Sequence, residues 1–350
     1  MPKITIIGTT SWGMTMAVVL AHKGLDVRLW ARTAKEAEKL RSKGPDPHLL
    51  PDVTFPPQLL VTSSLSEALA YVNAIILAVP SQSMRQNIVS VKYYLNKSTL
   101  VISAAKGLEI GSNKRMSEVI AEEINPRFRR NICVLSGPNL YREVLRGLPA
   151  SAVVAAADES VARQAQKLLT TPNFCVYTNT DVIGVELGGA LKNVIALGAG
   201  MIDGLGYGDN AKAAFVTRGL TEMAALGVAL GASPLTLSGL AGLGDLMATC
   251  ASPLSRNHYV GVELTKGRSL EEIITSMTSV AEGVGTTVAV WNVAQQLGLE
   301  MPITEKIYQV LYNSVEPQQV ITDLLGAGGR HELAGRRWRL FSFFRHRRHA

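Results

Sequence analysis

Short apolar runs alternate with helical stretches through the first half of the chain, and after about residue 181 the alternation stops. No other feature constrains the fold as much. Strands separated by helices make βαβ units, which join into a parallel sheet covered on both faces. The apolar runs fall at 4–7, 26–30, 74–79, 100–103, 132–135, 152–156 and 174–177. The run at 74–79 is continuously apolar, as a strand buried on both faces requires. Beyond 181, segments rich in Ala, Leu and Gly lie at 182–203, 211–231, 234–247, 255–266, 270–278, 283–297 and 304–313. Turn signals such as Gly206-Tyr207-Gly208-Asp209, Ser252-Pro253 and Met301-Pro302 separate them. The second half therefore reads as all-helical. The expected organisation is an α/β domain over 1–183, an all-α domain over 184–328 and a basic tail over 329–350, expected to be disordered.

Composition removes several classes. A 350-residue chain with 47% hydrophobic and 18% charged residues has ample apolar surface for two cores, which excludes a disordered chain. Three scattered cysteines, Cys133, Cys175 and Cys250, are too few for a disulfide framework and point to a reducing cytoplasm. The run 4–7 is too short for a signal peptide. The most apolar stretch, 182–205, carries Glu186, Lys192 and Asp203, which would be costly in hydrocarbon. Residues 331–350 hold six Arg against Glu332 alone, so +5 of the net +7 lies there and the body carries only +2. The basicity thus belongs to the tail and does not indicate nucleic-acid binding by the body. The six histidines form no H-E-x-x-H or Cys/His cluster, and no phosphate loop of the G-x-x-x-x-G-K-[ST] type occurs, so neither a metal site nor a P-loop is expected.

The first apolar run enters Gly8-Thr9-Thr10-Ser11-Trp12-Gly13 and then a helix. This is the setting of the dinucleotide fingerprint G-x-G-x-x-G, in which a helix N-terminus receives a pyrophosphate. The domain is therefore expected to be Rossmann-like. Thr10 stands where the middle glycine lets backbone approach the phosphates. The second run ends Arg28-Leu29-Trp30-Ala31-Arg32-Thr33, with no acid to hold a ribose 2′-hydroxyl. Arg32 can instead pair with a 2′-phosphate, which favours NADP(H) and leaves NAD(H) open.

Four further stretches place polar groups in apolar settings. Lys106 follows the run 100–103 at the sheet edge where α/β proteins bind ligands. Lys192 and Asn193 share a helix face with Gly189, Ala196 and Gly200, and small residues there allow close approach. Desolvation would lower the pKa of Lys192 and fit it for proton exchange near neutrality. Asp245 sits in Gly239-Leu240-Ala241-Gly242-Leu243-Gly244 and needs a cationic partner such as Lys192. Ser255, Arg256 and Asn257 offer donors for a phosphate dianion at a helix start. Each has an ordinary reading too: a surface lysine, a snorkelling lysine, a turn aspartate and a serine cap.

Taken in order, these segments resemble bacterial-type NAD(P)-dependent glycerol-3-phosphate dehydrogenase from about residue 3 to residue 325. The resemblance rests on the 8–13 turn, Ala105-Lys106-Gly107-Leu108-Glu109, Ser136-Gly137-Pro138, Gly188-Gly189-Ala190-Leu191-Lys192-Asn193 and Asp203-Gly204-Leu205-Gly206-Tyr207-Gly208-Asp209. It continues through Thr217-Arg218-Gly219, the 239–246 stretch, Ser255-Arg256-Asn257, Ala281-Glu282-Gly283 and Glu300-Met301-Pro302. It implies a cytoplasmic enzyme of glycerophospholipid synthesis that exchanges hydride between NADP(H) or NAD(H) and the pair dihydroxyacetone phosphate and sn-glycerol 3-phosphate. It implies Lys192 as catalytic acid and base, and Lys106, Gly137, Lys192, Asp245, Ser255, Arg256 and Asn257 as substrate residues. Ser11, Trp12, Arg32, Lys106, Tyr141, Arg256, Val280 and Glu282 would meet the coenzyme. Thr10, Asn139 and Tyr141 depart from the family pattern at coenzyme-facing positions. A homodimer is the assembly entertained. The tail interleaves Arg with Trp338, Phe341, Phe343 and Phe344, a pattern suited to weak contact with an anionic membrane surface.

Overall fold

The computed structural model describes residues 1–47, 50 and 53–326, so the tail lies outside the described residues. Eight strands form one sheet: β1 (Lys3–Ile7), β2 (Asp26–Trp30), β3 (Leu59–Thr62), β4 (Ala74–Leu77), β5 (Leu100–Ser103), β6 (Ile132–Ser136), β7 (Ala150–Ala155) and β8 (Phe174–Asn179). Their order is β3-β2-β1-β4-β5-β6-β7-β8. All neighbours are parallel except β6 and β7, which run antiparallel. Strand β3 was not anticipated from the sequence. It has four residues, follows Pro56-Pro57 and lies at the sheet edge with Leu60 exposed, so it lacks the strong apolar signal of the central strands.

Alternation along β1 sends Ile4 and Ile6 to one face, against helix Ser11–His22, and Ile7 to the other, with Ile75, Leu77 and Ile88. The order reverses between β1 and β4. The loops leaving their C-terminal ends therefore diverge and leave a crevice, the usual ligand position in such sheets. Gly8 at that point has φ +114°, and an added Cβ would come within 2.7 Å of the Ala78 carbonyl, so only glycine fits the turn.

After β8 the chain becomes wholly helical. Helix Val182–Gly204 runs through the middle of the second half, and helices Gly208–Ala229, Arg256–Thr265, Glu282–Leu297, Pro302–Asn313 and Pro317–Gly326 surround it. The last of these was not anticipated. By length and composition the central helix could cross a membrane, but 89% of its most apolar window is buried inside the protein. Two of its glycines, Gly188 and Gly200, meet the backbone of neighbouring elements. A Cβ on Gly200 would lie 2.0 Å from the His258 carbonyl, and one on Gly261 would lie 2.0 Å from the Leu197 carbonyl. The helices bearing Lys192 and Arg256 therefore touch main chain to main chain.

The 234–247 segment is not one helix. It divides into helix Pro234–Leu237, a wide turn Leu240–Gly244 and helix Asp245–Ala251. Gly239 adopts an extended backbone, and glycine-rich sequence gives weak support to continuous helix. The break makes Asp245 the first residue of a new helix.

Candidate active site

A cleft of ≈ 370 Å³ opens at the crevice between β1 and β4 and continues between the sheet and the helical half. Its lining includes Thr10, Ser11, Trp12, Lys106, Tyr141, Lys192, Ser255, Arg256, Asn257, Val280 and Glu282. Gly137 and Asp245 lie behind this surface, and Arg32 is exposed outside it. Residues more than 200 positions apart in sequence thus face one space.

The floor is a charge cluster. Lys192, 7% exposed, donates to the Thr249 hydroxyl at 2.6 Å and lies 3.1 Å from Asp245 Oδ1. Lys106 Nζ lies 2.6 Å from Asp245 Oδ2 and donates to the Gly137 carbonyl at 2.8 Å. Thr249 donates to Asp245 Oδ1 at 3.2 Å, which turns its lone pairs towards Lys192. Each ammonium spends two of its three donors on protein and keeps one. Burial pushes Lys192 down to about 8; Asp245 opposes that shift, and the neighbouring Lys106 charge adds to it. Gly137, at φ +136°, packs too closely on Ala152 for any side chain, and its carbonyl fixes Lys106.

The wall is built differently. Ser255 caps helix Arg256–Thr265 by accepting from His258 N–H. The amide of Asn257 donates to Asn193 at 2.8 Å and accepts from Gly283 N–H at 2.9 Å. Asn193 in turn donates to the Lys106 carbonyl at 3.0 Å, so the amides join both halves of the molecule. Arg256 has no hydrogen-bond or ion-pair partner among the described residues. Burial lowers its pKa, opposed by the nearby charge of Glu282. Glu282 accepts from the backbone N–H of Ser81 at 2.9 Å and from its hydroxyl; burial pushes its carboxyl up.

The turn fits a dinucleotide. Among the described residues the backbone N–H groups of Ser11 and Trp12 are unbonded at the helix N-terminus, a ready anion site. Thr10 is the helix cap: its hydroxyl accepts from Gly13 N–H at 3.0 Å and donates to the Ala78 carbonyl at 2.7 Å. Its polar end is therefore directed into the protein. Trp12 packs edge-on against Phe174. Both ends of the Asn139 amide are buried without partners at the cleft, a donor and an acceptor suited to a polar ligand. Tyr141 starts a short helix beside them, and Val280, half exposed, sits at the mouth.

Sequence reasoning did not single out Thr249 or Ser81. A threonine in a helix and a serine opening a single 3-10 turn carry no signal until their partners are known.

Residues 3–162 match the family described as NAD-dependent glycerol-3-phosphate dehydrogenase N-terminus, and residues 181–322 match the corresponding C-terminus. A glycerol-3-phosphate dehydrogenase [NAD(P)+] from Dehalococcoides mccartyi is 60% identical over 349 residues, covering 99% of this chain and 97% of the relative. That alignment takes in most of the basic tail. A namesake from Moorella thermoacetica is 47% identical, covering 96% and 99%. The crystal structure of glycerol-3-phosphate dehydrogenase from Coxiella burnetii superposes with TM-score 0.88 at 36% identity, covering 93% of this chain and 98% of that one.

Proposed function

The chain belongs to the NAD-dependent glycerol-3-phosphate dehydrogenase family, and from that premise we propose that Lys192 moves the proton and Arg256 holds the phosphate. The protein is an NAD(P)-dependent oxidoreductase that interconverts dihydroxyacetone phosphate and sn-glycerol 3-phosphate. The observation that carries the residue assignment is the position of Lys192: buried, pinned by Asp245 and Thr249, and facing the cleft that begins at the glycine turn.

The nicotinamide coenzyme, when bound, supplies or removes the hydride. The residues do the rest. In reduction, charge develops on the ketone oxygen. The free donor of the Lys192 ammonium stabilises it and then transfers a proton to it. In oxidation the neutral amine takes the hydroxyl proton. Asp245 fixes the direction of both ammonium groups. Arg256, with its guanidinium donors uncommitted, meets the phosphate dianion at a helix start where backbone N–H groups add to the field. The phosphate anchors one end of the substrate, and such positioning removes several kcal/mol from the barrier.

The test is the fall in absorbance at 340 nm with dihydroxyacetone phosphate and NADPH or NADH, against Lys192→Ala. The variant is expected to fold normally and lose about 10³-fold in kcat. Turnover within tenfold of the wild type would remove Lys192 from its role.

The tail is assigned to weak contact with anionic lipid, on its interleaved Arg and aromatic residues. The full chain should sediment with anionic vesicles and not with neutral ones; a chain ending at residue 326 that sediments equally would end that assignment. All three cysteines are free thiols, in keeping with a reducing cytoplasm.

A further inference from the structure

The end of β2 carries no acid, yet an acid reaches the place where one would act. Glu36 lies in the first turn of helix Ala34–Lys43, capped by Thr33. Its side chain turns back to the sheet: Oε1 accepts from the Thr9 hydroxyl at 2.5 Å and Oε2 accepts from Arg32 N–H at 3.2 Å. Thr9 belongs to the glycine turn and lines the cleft. The carboxylate therefore lies between the phosphate-binding turn and the end of β2, the region that meets the adenosine ribose in a fold of this order. Arg32 stands beside it, exposed, its guanidinium without a partner among the described residues.

We propose that Glu36 and Arg32 together set the choice between NADH and NADPH, with Glu36 as the residue that admits NADH. The inference rests on the reading that the glycine turn holds the coenzyme pyrophosphate. A carboxylate accepts a hydrogen bond from a ribose hydroxyl, whereas a 2′-phosphate brings a second anion into contact with it. A guanidinium does the reverse, since it gains a charge-assisted pair only when the phosphate is present. Two opposite charges flanking one position make a balanced discriminator. Each can be removed without touching the floor of the cleft. Thr9 holds Glu36 in place, so its hydroxyl is a positioning group for the same choice.

Calorimetry on the full-length protein with adenosine 2′,5′-bisphosphate and adenosine 5′-monophosphate reads this directly, with no turnover required. The wild type is expected to bind both. In Glu36→Gln the affinity ratio of bisphosphate to monophosphate should rise about tenfold, since one charge contact is worth about one such factor. In Arg32→Ala the ratio should fall by a similar factor. The ratio of kcat/KM for NADPH to that for NADH should move in the same directions. A Glu36→Gln ratio within twofold of the wild type, or one shifted towards the monophosphate, overturns the role of Glu36 while leaving the turn assignment standing. Failure of the wild type to bind either nucleotide overturns both.

Discussion

Two cations face the same cleft, and the protein treats them in opposite ways. Lys192 is held by Asp245 and Thr249 and backed by Lys106, so its position and its proton affinity are fixed by the chain. Arg256 is held by its backbone at a helix start, while its guanidinium donors go to no group among the described residues. The difference teaches how one cleft divides its labour. A group that exchanges a proton must be tuned before the substrate arrives, which takes permanent neighbours. A group that meets a dianion does more with its donors uncommitted, because any internal partner would have to be given up on binding.

Three measurements bear on that contrast. Arg256→Ala should raise KM for dihydroxyacetone phosphate roughly 10²-fold, from the loss of charge-assisted bonds to the phosphate. A fall in kcat with KM unchanged would show that Arg256 is not the phosphate anchor. The pH dependence of kcat/KM isolates the other cation. Lys192 titrates at about 8, and on its proposed role reduction needs its ammonium, so the reduction rate should be level below that pH and fall above it. Oxidation needs the amine and should rise through the same pH. Asp245 favours the ammonium, so Asp245→Asn should move both limbs to lower pH; limbs that stay in place would mean the carboxylate does not tune the lysine. The smallest effect concerns Ser81, whose hydroxyl bonds Glu282 beside Arg256. Ser81→Ala should cost about 1 kcal/mol, a change in KM below tenfold with the pH limbs unmoved. A shifted limb would couple wall and floor, which the contrast denies.

Lys192, Asp245 and Arg256 were legible in the sequence because charge among glycines and aliphatics is costly and demands a partner or a ligand. The strands were legible where burial on both faces made them continuously apolar, and β3 was not because an edge strand of four residues needs no such pattern. The 234–247 segment misled because Leu, Ala and Gly satisfy helical spacing whether or not the helix is continuous. Glu36 escaped because an acid was sought at the end of a strand, and the structure delivers it from the next helix. Asn257 lines the cleft as a candidate donor, and the structure adds that one of its amide hydrogens goes to Asn193 while its oxygen accepts from Gly283, contacts that the sequence does not carry.

The main-chain contact between the two central helices, at Gly200 against His258 and Gly261 against Leu197, leaves no flexible spacer between the residues they carry. Lys192 sits on one helix and Arg256 on the other, and Asn193 and Asn257 bolt them together beside the cleft. The two backbones therefore stand at one fixed separation, and on the proposed roles only the uncommitted Arg256 side chain is left to adjust the reach from amine to guanidinium.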